Sequence, residues 1–421
     1  MNYYLLFISL LTSSICFSQI TDIHKTEIIK TNVGFQLLRN GDPYYVKGAG
    51  GYEYLGLLKD IGGNSIRTWG TENAQEILDD AYDNGLTVCL GLWAGHERHG
   101  FDYNDEYAVS SQLESFKKDI IKYKDHPALL MWAVGNELDL FYKNFRVWNA
   151  VEEISKMIKE IDPYHPIMTI TAGIDPSEVY MIKNYCPSID ILGINTYGGI
   201  HYLSDAVRLY GWEKPYMVTE WGPYGHWESP NTSWGVAIEA TSKEKAEFRD
   251  LSYQYIKGDS ELCLGSYAFL WGYKQEYTPT WYPLFSKEGE ATQSIDVLNK
   301  NWGNTPRNKA PIIHSILLNN KDKKESVKIK RGKSCVLSYD VTDPENDELE
   351  FEFVLMPEST DKKSGGDFEK TPEKIPFKIV EQSNNKIVIS APSRSGQYRF
   401  FIYIRDKNKN IATANIPFYV N

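Results

Sequence analysis

Two glutamates stand at the ends of apolar runs. Glu137 closes ALLMWAVGNE (128–137), and Glu220 sits in PYMVTEWGP (215–223), 83 residues further on. Around them in the sequence lie side chains that bind or polarise polar groups: Arg67, Trp69, Trp93, His96, Asn136, Asn195, Tyr197, Trp221 and Trp271. A pair of carboxylates is what cleavage of a glycosidic bond needs. One carboxyl, with its pKa raised, protonates the departing oxygen, while the other stays ionised and attacks the anomeric carbon. Arg67 is the candidate for keeping the attacking group charged, through a charge-assisted hydrogen bond. A single glutamate at the end of a strand often does no more than cap a helix or pair with a cation. Two of them, each after an apolar run and set among Asn, Tyr, Arg and Trp, point to chemistry instead.

The elements that must hold these groups are legible as eight short runs. They are YVKGAG (45–50), SIRTWG (65–70), LTVCLGLWAG (86–95), ALLMWAVGNE (128–137), PIMTITAG (166–173), DILGINTYGG (190–199), PYMVTEWGP (215–223) and CLGSYAFLWGY (263–273). Between them lie stretches apolar at i, i+3 and i+4, such as ENAQEILDDAYDNG and NAVEEISKMIKEID, which read as amphipathic helices. Near-continuous apolar strands alternating with helices imply a parallel sheet covered on both faces. Eight such units fit an α/β fold of the (β/α)8 TIM-barrel type, with an open doubly wound sheet as the alternative; no GxGxxG turn follows the first run. In a barrel, polar residues at the carboxyl ends of the strands converge on one mouth. The residues collected above all lie at such ends: Arg67 and Trp69 after strand two, Trp93 and His96 after strand three, and Asn136 and Glu137 after strand four. Asn195 and Tyr197 follow strand six, Glu220 and Trp221 strand seven, and Trp271 strand eight.

These blocks resemble the catalytic barrel of family 2 glycoside hydrolases, in clan A. DHPALLMWAVGNE (125–137) is similar to that family's acid/base signature and KPYMVTEWGP (214–223) to its nucleophile strand. NSIRTWG (64–70), IDPYHPIMTIT (161–171) and LGINTYGG (192–199) match its other blocks in the same order, so the resemblance runs over residues 30–300. It implies that Glu137 is the acid/base and Glu220 the nucleophile. It also implies that Asn136 binds the sugar 2-hydroxyl, that Tyr197 hydrogen-bonds the nucleophile and that Trp271 floors the reacting sugar. Such enzymes usually carry β domains before the barrel. Only a short segment separates residue 18 from the first strand here, which leaves room for an open groove acting within a polymer.

Composition narrows the partners. Forty-five basic and 56 acidic residues give a net charge of −11, so no basic field favours nucleic acid. Aromatic residues make up 14%, and flat rings suit the stacking of sugars. The expected partner is a β-linked carbohydrate. The chemistry calls for no cofactor and no metal, and the oligomeric state is not readable. Residues 1–18 read as a secretory signal cut after Ser18, and no later run is long and apolar enough for a transmembrane helix, so the protein is expected to be exported. Cys89 and Cys263 lie in apolar runs and are expected to be buried thiols.

The expected organisation is a catalytic domain over 19–303, a linker at 304–311 and a β module over 312–421. That module shows short alternating strands resembling an immunoglobulin or fibronectin sandwich. It reads as a structural spacer, because no platform of aromatic rings is evident in it. Its acidic run at Asp340, Asp343, Glu345, Asp347 and Glu348 could take calcium through oxygen ligands, an acidic turn being the simpler reading. The lysine-rich 321–333 stretch reads as a solvated edge strand. The loop His96–His99 reads as polar surface bordering the groove. Tyr224, His226, Trp227 and Trp234, and likewise Tyr273, Tyr277, Trp281 and Tyr282, are candidates for stacking over it. The same residues would serve a β-glucan transglycosylase, or a non-catalytic glycan-binding protein. The sequence selects neither the sugar nor endo over exo action.

Overall fold

The computed structural model describes residues 24–421, so the expected leader lies outside the described residues. Eight strands form a closed barrel in sequential order: Val46–Gly50, Ser65–Arg67, Thr87–Leu92, Leu129–Val134, Ile167–Ala172, Ile191–Asn195, Tyr216–Trp221 and Cys263–Ala268. All neighbouring pairs are parallel, and the eighth strand returns to the first through Ser266 and Lys47, which rules out an open sheet. The strands are short and buried on both faces, as in Leu129–Val134, where every residue is enclosed. Their outer faces meet helices such as Arg146–Ile161, which turns Val147, Trp148, Val151, Ile154 and Ile158 inward.

Side chains, not solvent, fill the interior: Cys89, Met131, Met168, Met217 and Tyr267 form one buried cluster. The Tyr267 ring occupies the space a side chain at position 48 would need, since a Cβ on Gly48 would lie 2.3 Å from it. The amino-terminal hairpin, Thr26–Thr31 with Gly34–Arg39, stoppers this core with Ile28, Phe35 and Leu37. The described cysteines, Cys89, Cys186, Cys263 and Cys335, are all buried and unpaired. Among the described residues no helix is long and apolar enough to cross a membrane.

Beyond the barrel the chain forms two predominantly antiparallel sheets. One orders Ile312–Leu318, Ser334–Thr342, Lys386–Ser390 and Ile379–Ser383; the other carries Glu350–Pro357, Gly396–Arg405 and Asn410–Val420. Their inner faces share a core of Leu337, Ile387, Ile389, Phe400, Ile402 and Ile416. This module is built into the barrel. Ala291–Thr292, on the barrel side of the expected 304–311 linker, pairs in parallel with Asn410 and Ile411. Within that linker, Ala310 N donates to Asp296 and Asn308 Nδ2 to Asp347.

The contact between the two parts is polar and buried. Arg399 donates to both oxygens of Glu358, to Asn415 Oδ1 and to the barrel carbonyl of Ala237 at 2.7–3.1 Å. Asn415 in turn donates to Glu239, a buried barrel carboxylate that also takes Lys245, Thr278 and Thr280. Lys323 departs from the solvated edge expected of the 321–333 stretch. It is buried and donates to Glu239 O at 2.9 Å and to Glu244 at 2.6 Å. The acidic turn largely caps itself, Asp343 Oδ1 accepting from the amides of Glu345 and Asp347.

Removing one member of a buried ion pair leaves the other uncompensated, at a cost of about 3–5 kcal/mol. Arg399→Met should therefore lower the unfolding free energy by roughly that amount. Urea denaturation monitored by tryptophan fluorescence measures it, and a loss below about 1 kcal/mol would show that the Arg399 junction does not hold the module in place.

Candidate active site

Closure of the barrel brings strands two, four, six and seven together at one mouth. Arg67, with 0% of its surface exposed, ends strand two and reaches across to strand seven. Its Nη1 donates to Glu220 Oε1 and to Thr219 O, both at 2.9 Å, and its Nη2 to Asn136 Oδ1 at 2.5 Å. Two further donors meet the same carboxylate: Trp69 Nε1 at 2.9 Å on Oε1 and the Tyr197 hydroxyl at 3.1 Å on Oε2. Glu220 is thus gripped at both oxygens, with a guanidinium as partner for its charge.

Glu137 lies in a different setting. Its backbone is in the left-handed region, φ 52°, directly after Gly135 and Asn136, and its amide donates to Ile170 O at 2.9 Å. Such a backbone in a non-glycine residue persists only where the surroundings enforce it, and it aims the side chain into the mouth. Among the described residues one hydrogen bond reaches the carboxyl, from Asn195 Nδ2 at 2.8 Å. Burial, and then the negative charge of Glu220, push the Glu137 pKa well above the ordinary carboxylate range. Asn195 also donates to Asn136 Oδ1 at 3.2 Å, so a continuous chain of hydrogen bonds runs from Glu220 through Arg67, Asn136 and Asn195 to Glu137.

Both glutamates open onto a cleft of about 800 Å³. Trp69, Trp93, Asn136, Asn195 and Tyr197 line it as expected from the sequence, together with Phe269. Four of the expected residues lie behind the wall. Arg67 acts through its hydrogen bonds, as described. His96 is buried, with Nε2 donating to Asn136 O at 2.6 Å, and desolvation pushes its pKa down to about 4. The neutral ring therefore props the strand-four end from below and is absent from the cleft lining. Trp221 is fully enclosed, stacked on Tyr253 with Arg249 over its face. Trp271, 1% exposed, donates to Glu53 O and packs edge-on against Phe285, so it does not floor the cleft. Phe269 and Leu270 present themselves at the end of strand eight instead.

Among the aromatic candidates of the long loops, His226 and Trp227 line the cleft, Trp227 with 61% of its surface open. Tyr224 stacks on Phe248 and Trp234 packs against Tyr419 of the module. Tyr277, Trp281 and Tyr282 are buried beneath the loop. Glu228 fastens the loops after strands six and seven together, accepting from Gly198 N at 2.9 Å and Gly225 N at 2.7 Å.

The sequence reading missed the largest contribution from outside the barrel. Between Glu350–Pro357 and Ile379–Ser383 the module sends out a strap, residues 358–378, whose Lys363, Ser364, Gly365 and Gly366 line the cleft. Arg98 and His99, read as polar surface, both pair with Asp367, and Arg98 also donates to the carbonyls of Ser364 and Gly365. Lys274 donates to Gly366 O, while buried Glu369 accepts from Tyr277 N at 2.6 Å and from Lys363 N at 2.9 Å. Gly365 and Gly366 have φ of 63° and 70°, a conformation glycine adopts without strain, which is how the strap turns back at its tip. The Ser-Gly-Gly flanked by charges at 361–370 was the available signal of a loop tip, but nothing in it says which surface the tip meets. The module is accordingly part of the cleft wall, not only a spacer. In the module, Asp343, Asp347 and Asp406 bring one oxygen each within 4.8 Å of one another, though Asn308, Asn408 and Asn410 already engage Asp347 and Asp406.

Residues 55–227 match the family model described as glycosyl hydrolases family 2, TIM barrel domain. A β-glucuronidase of Paenibacillus borealis is 25% identical over 246 residues, covering 52% of this chain and 39% of that protein. The Homo sapiens β-glucuronidase is 21% identical over 219 residues, covering 44% and 32%. The chain thus spans well under half the length of these curated relatives. Among solved structures, the β-D-glucuronidase of Dictyoglomus thermophilum superposes with a TM-score of 0.52 at 18% identity, covering 67% of this chain and 54% of that one. A putative β-galactosidase from Bacteroides fragilis gives 0.51 at 14% identity, covering 95% and 58%. Residues 55–227 are thus similar to the TIM barrel domain of family 2 glycosyl hydrolases, and the solved neighbours share the fold of the barrel.

Proposed function

We propose that the chain is a retaining β-glycosidase acting on β-linked oligo- or polysaccharides. Glu220 attacks the anomeric carbon as Glu137 gives its proton to the departing oxygen, and the C–O bond breaks to leave a glycosyl ester on Glu220. Glu137, now a carboxylate, takes a proton from water as that water attacks the same carbon and releases the sugar and Glu220. The observation that carries this reading is the contrast between two neighbouring carboxyls. One is clasped by Arg67, Trp69 and Tyr197, while the other is desolvated with its pKa raised. Asn136 and Asn195 would meet the sugar beside the reacting carbon, with Trp69, Trp93, Tyr197 and Trp227 offering ring faces. The relatives' names, β-glucuronidase and putative β-galactosidase, belong to the same chemistry. The chain is read as exported after loss of residues 1–18, and its two-sheet module as an immunoglobulin-like sandwich.

Two substitutions separate the roles. Glu220→Ala should lower kcat on aryl β-glycosides by more than about 10⁴-fold, with added azide restoring turnover and giving a product of inverted configuration. Glu137→Ala should cost about 10²–10⁴-fold on glycosides whose leaving group needs a proton and far less on dinitrophenyl glycosides. Either variant working at the wild-type rate on an alkyl glycoside would sink the assignment.

The pH dependence follows from the same contrast. The first step needs Glu137 protonated, so activity falls as pH rises through its raised pKa, and the alkaline limb lies above the ordinary carboxylate range. In Glu220→Gln the charge of Glu220 is gone as a cause of that rise, while burial and the nearby Asp139 remain. The Glu137 titration, followed by carbon NMR of labelled glutamate, should move down yet stay above that of an exposed glutamate. An unchanged titration would show that the two carboxyls do not interact.

A further inference from the structure

A third carboxylate stands in the cleft wall, and the reaction leaves it without a task. Glu276, 8% exposed, lies past the end of strand eight and lines the cleft beside Lys274 and Gly366. Its Oε2 is buried and paired with Lys274 Nζ at 3.1 Å, while among the described residues no hydrogen bond reaches Oε1. No amide, hydroxyl or indole donates to it, in contrast to Glu220, Glu228, Glu239 and Glu369. Glu276 shares the cleft lining with Glu137 and Glu220; burial raises its pKa, Lys274 opposes that, and the negative charge of Glu220 adds to it. The strap sets its position: Lys274 is held to Gly366 O, the next residue Tyr277 is held by Glu369, and Lys362 lies 4.0 Å over the Tyr277 ring.

A buried carboxylate normally fills its acceptor sites. Glu276 lines the cleft with Oε1 unfilled, and what enters a glycosidase cleft beside the reacting centre is a sugar carrying hydroxyl donors. Two cations at the same wall are held in place, Lys274 by Glu276 and Gly366 O and Arg98 by Asp367 at 2.8 Å, while Lys363 of the strap tip makes an exposed pair with Asp361 at 3.1 Å. A sugar bearing its own carboxylate would meet Glu276 and Glu220, with only the half-exposed Lys363 at the strap tip to offset them.

We propose that Glu276 is the specificity-determining acceptor of this cleft, binding hydroxyls of a neutral sugar, and that the site therefore takes neutral β-glycosides in preference to uronides. This rests on the glycosidase reading above and adds the charge class of the substrate to it. It also separates this chain from relatives whose names specify a glucuronide.

The test uses the full chain and Glu276→Gln, with p-nitrophenyl β-glucoside, β-galactoside and β-mannoside against β-glucuronide and β-galacturonide. The wild type should turn over at least one neutral glycoside with a higher kcat/KM than either uronide. Glu276→Gln should lower kcat/KM on that neutral glycoside about 10- to 100-fold, as loss of hydrogen bonds to a charged acceptor does. Losing the charge should spare the uronides, so the neutral-to-uronide ratio falls, a change that a general loosening of the loop would not produce. Unchanged thermal unfolding of the variant shows that the fold is kept. Saturation-transfer NMR with glucose, galactose and mannose against glucuronate and galacturonate gives a readout that needs no turnover. Neutral sugars binding to the wild type and weakened by Glu276→Gln support the inference even if no glycoside is cleaved, in which case the proposed function alone fails. A wild type that prefers a uronide in turnover or binding, or a ratio untouched by Glu276→Gln, overturns it.

Discussion

Arg67 is a guanidinium with no solvent contact at the centre of a barrel mouth, and the arrangement around it follows from compensating that charge. An isolated buried ion costs several kcal/mol, so its environment must supply both counter-charge and acceptors. Glu220 provides the first, and the Thr219 carbonyl and Asn136 provide the second. Those partners come from strands seven and four, which face strand two only because the sheet is closed. One cation thereby fixes the rotamer of the proposed nucleophile and, through Asn136 and Asn195, the carboxyl of Glu137. The two carboxyls are chemically alike, and their surroundings separate them.

The module that follows the barrel is joined to it by the same physics. Arg399 and Lys323 are buried cations, and each finds a carboxylate or carbonyl on the barrel side of the junction. A sheet partner from the barrel, Ala291–Thr292, continues the module's last strand. A junction of this kind holds the strap in a defined place, and a loop carried by the second part of the chain becomes a wall of the cleft in the first. The mouth is consequently less open than the bare barrel would be, with Lys363–Gly366 standing on one side and exposed rings such as Trp227 on another.

Strand identity and order were legible because the barrel strands are mostly apolar, buried on both faces and bounded by turn residues, so local patterning and tertiary burial agree. The positions of Glu137, Glu220, Arg67, Asn195 and Tyr197 at one mouth followed from their place at strand ends. What misled was the assumption that an aromatic or histidine at a strand end points into the mouth. Trp221 turns behind it because it alternates with Glu220 along the strand, whereas Trp271 and His96 lie past their strand ends and are drawn away by Glu53 O and Asn136 O. Likewise Lys323 lies in a run that reads as solvated, yet two acceptors from the barrel draw it in.

The sequence by itself determined the barrel, the order of its strands and the pair of carboxyls with their nearest polar neighbours. These depend on periodicity and on chain position, which are local properties. Only the tertiary structure decided which rings face the cleft, that Phe269 and not Trp271 closes its eighth-strand side, and that Glu276 and a Ser-Gly-Gly strap complete the wall. Those outcomes depend on contacts between segments some 90 residues apart, such as Lys274 with Gly366 and Tyr277 with Glu369. No residue in either segment specifies its partner until packing of the whole chain has brought the two together.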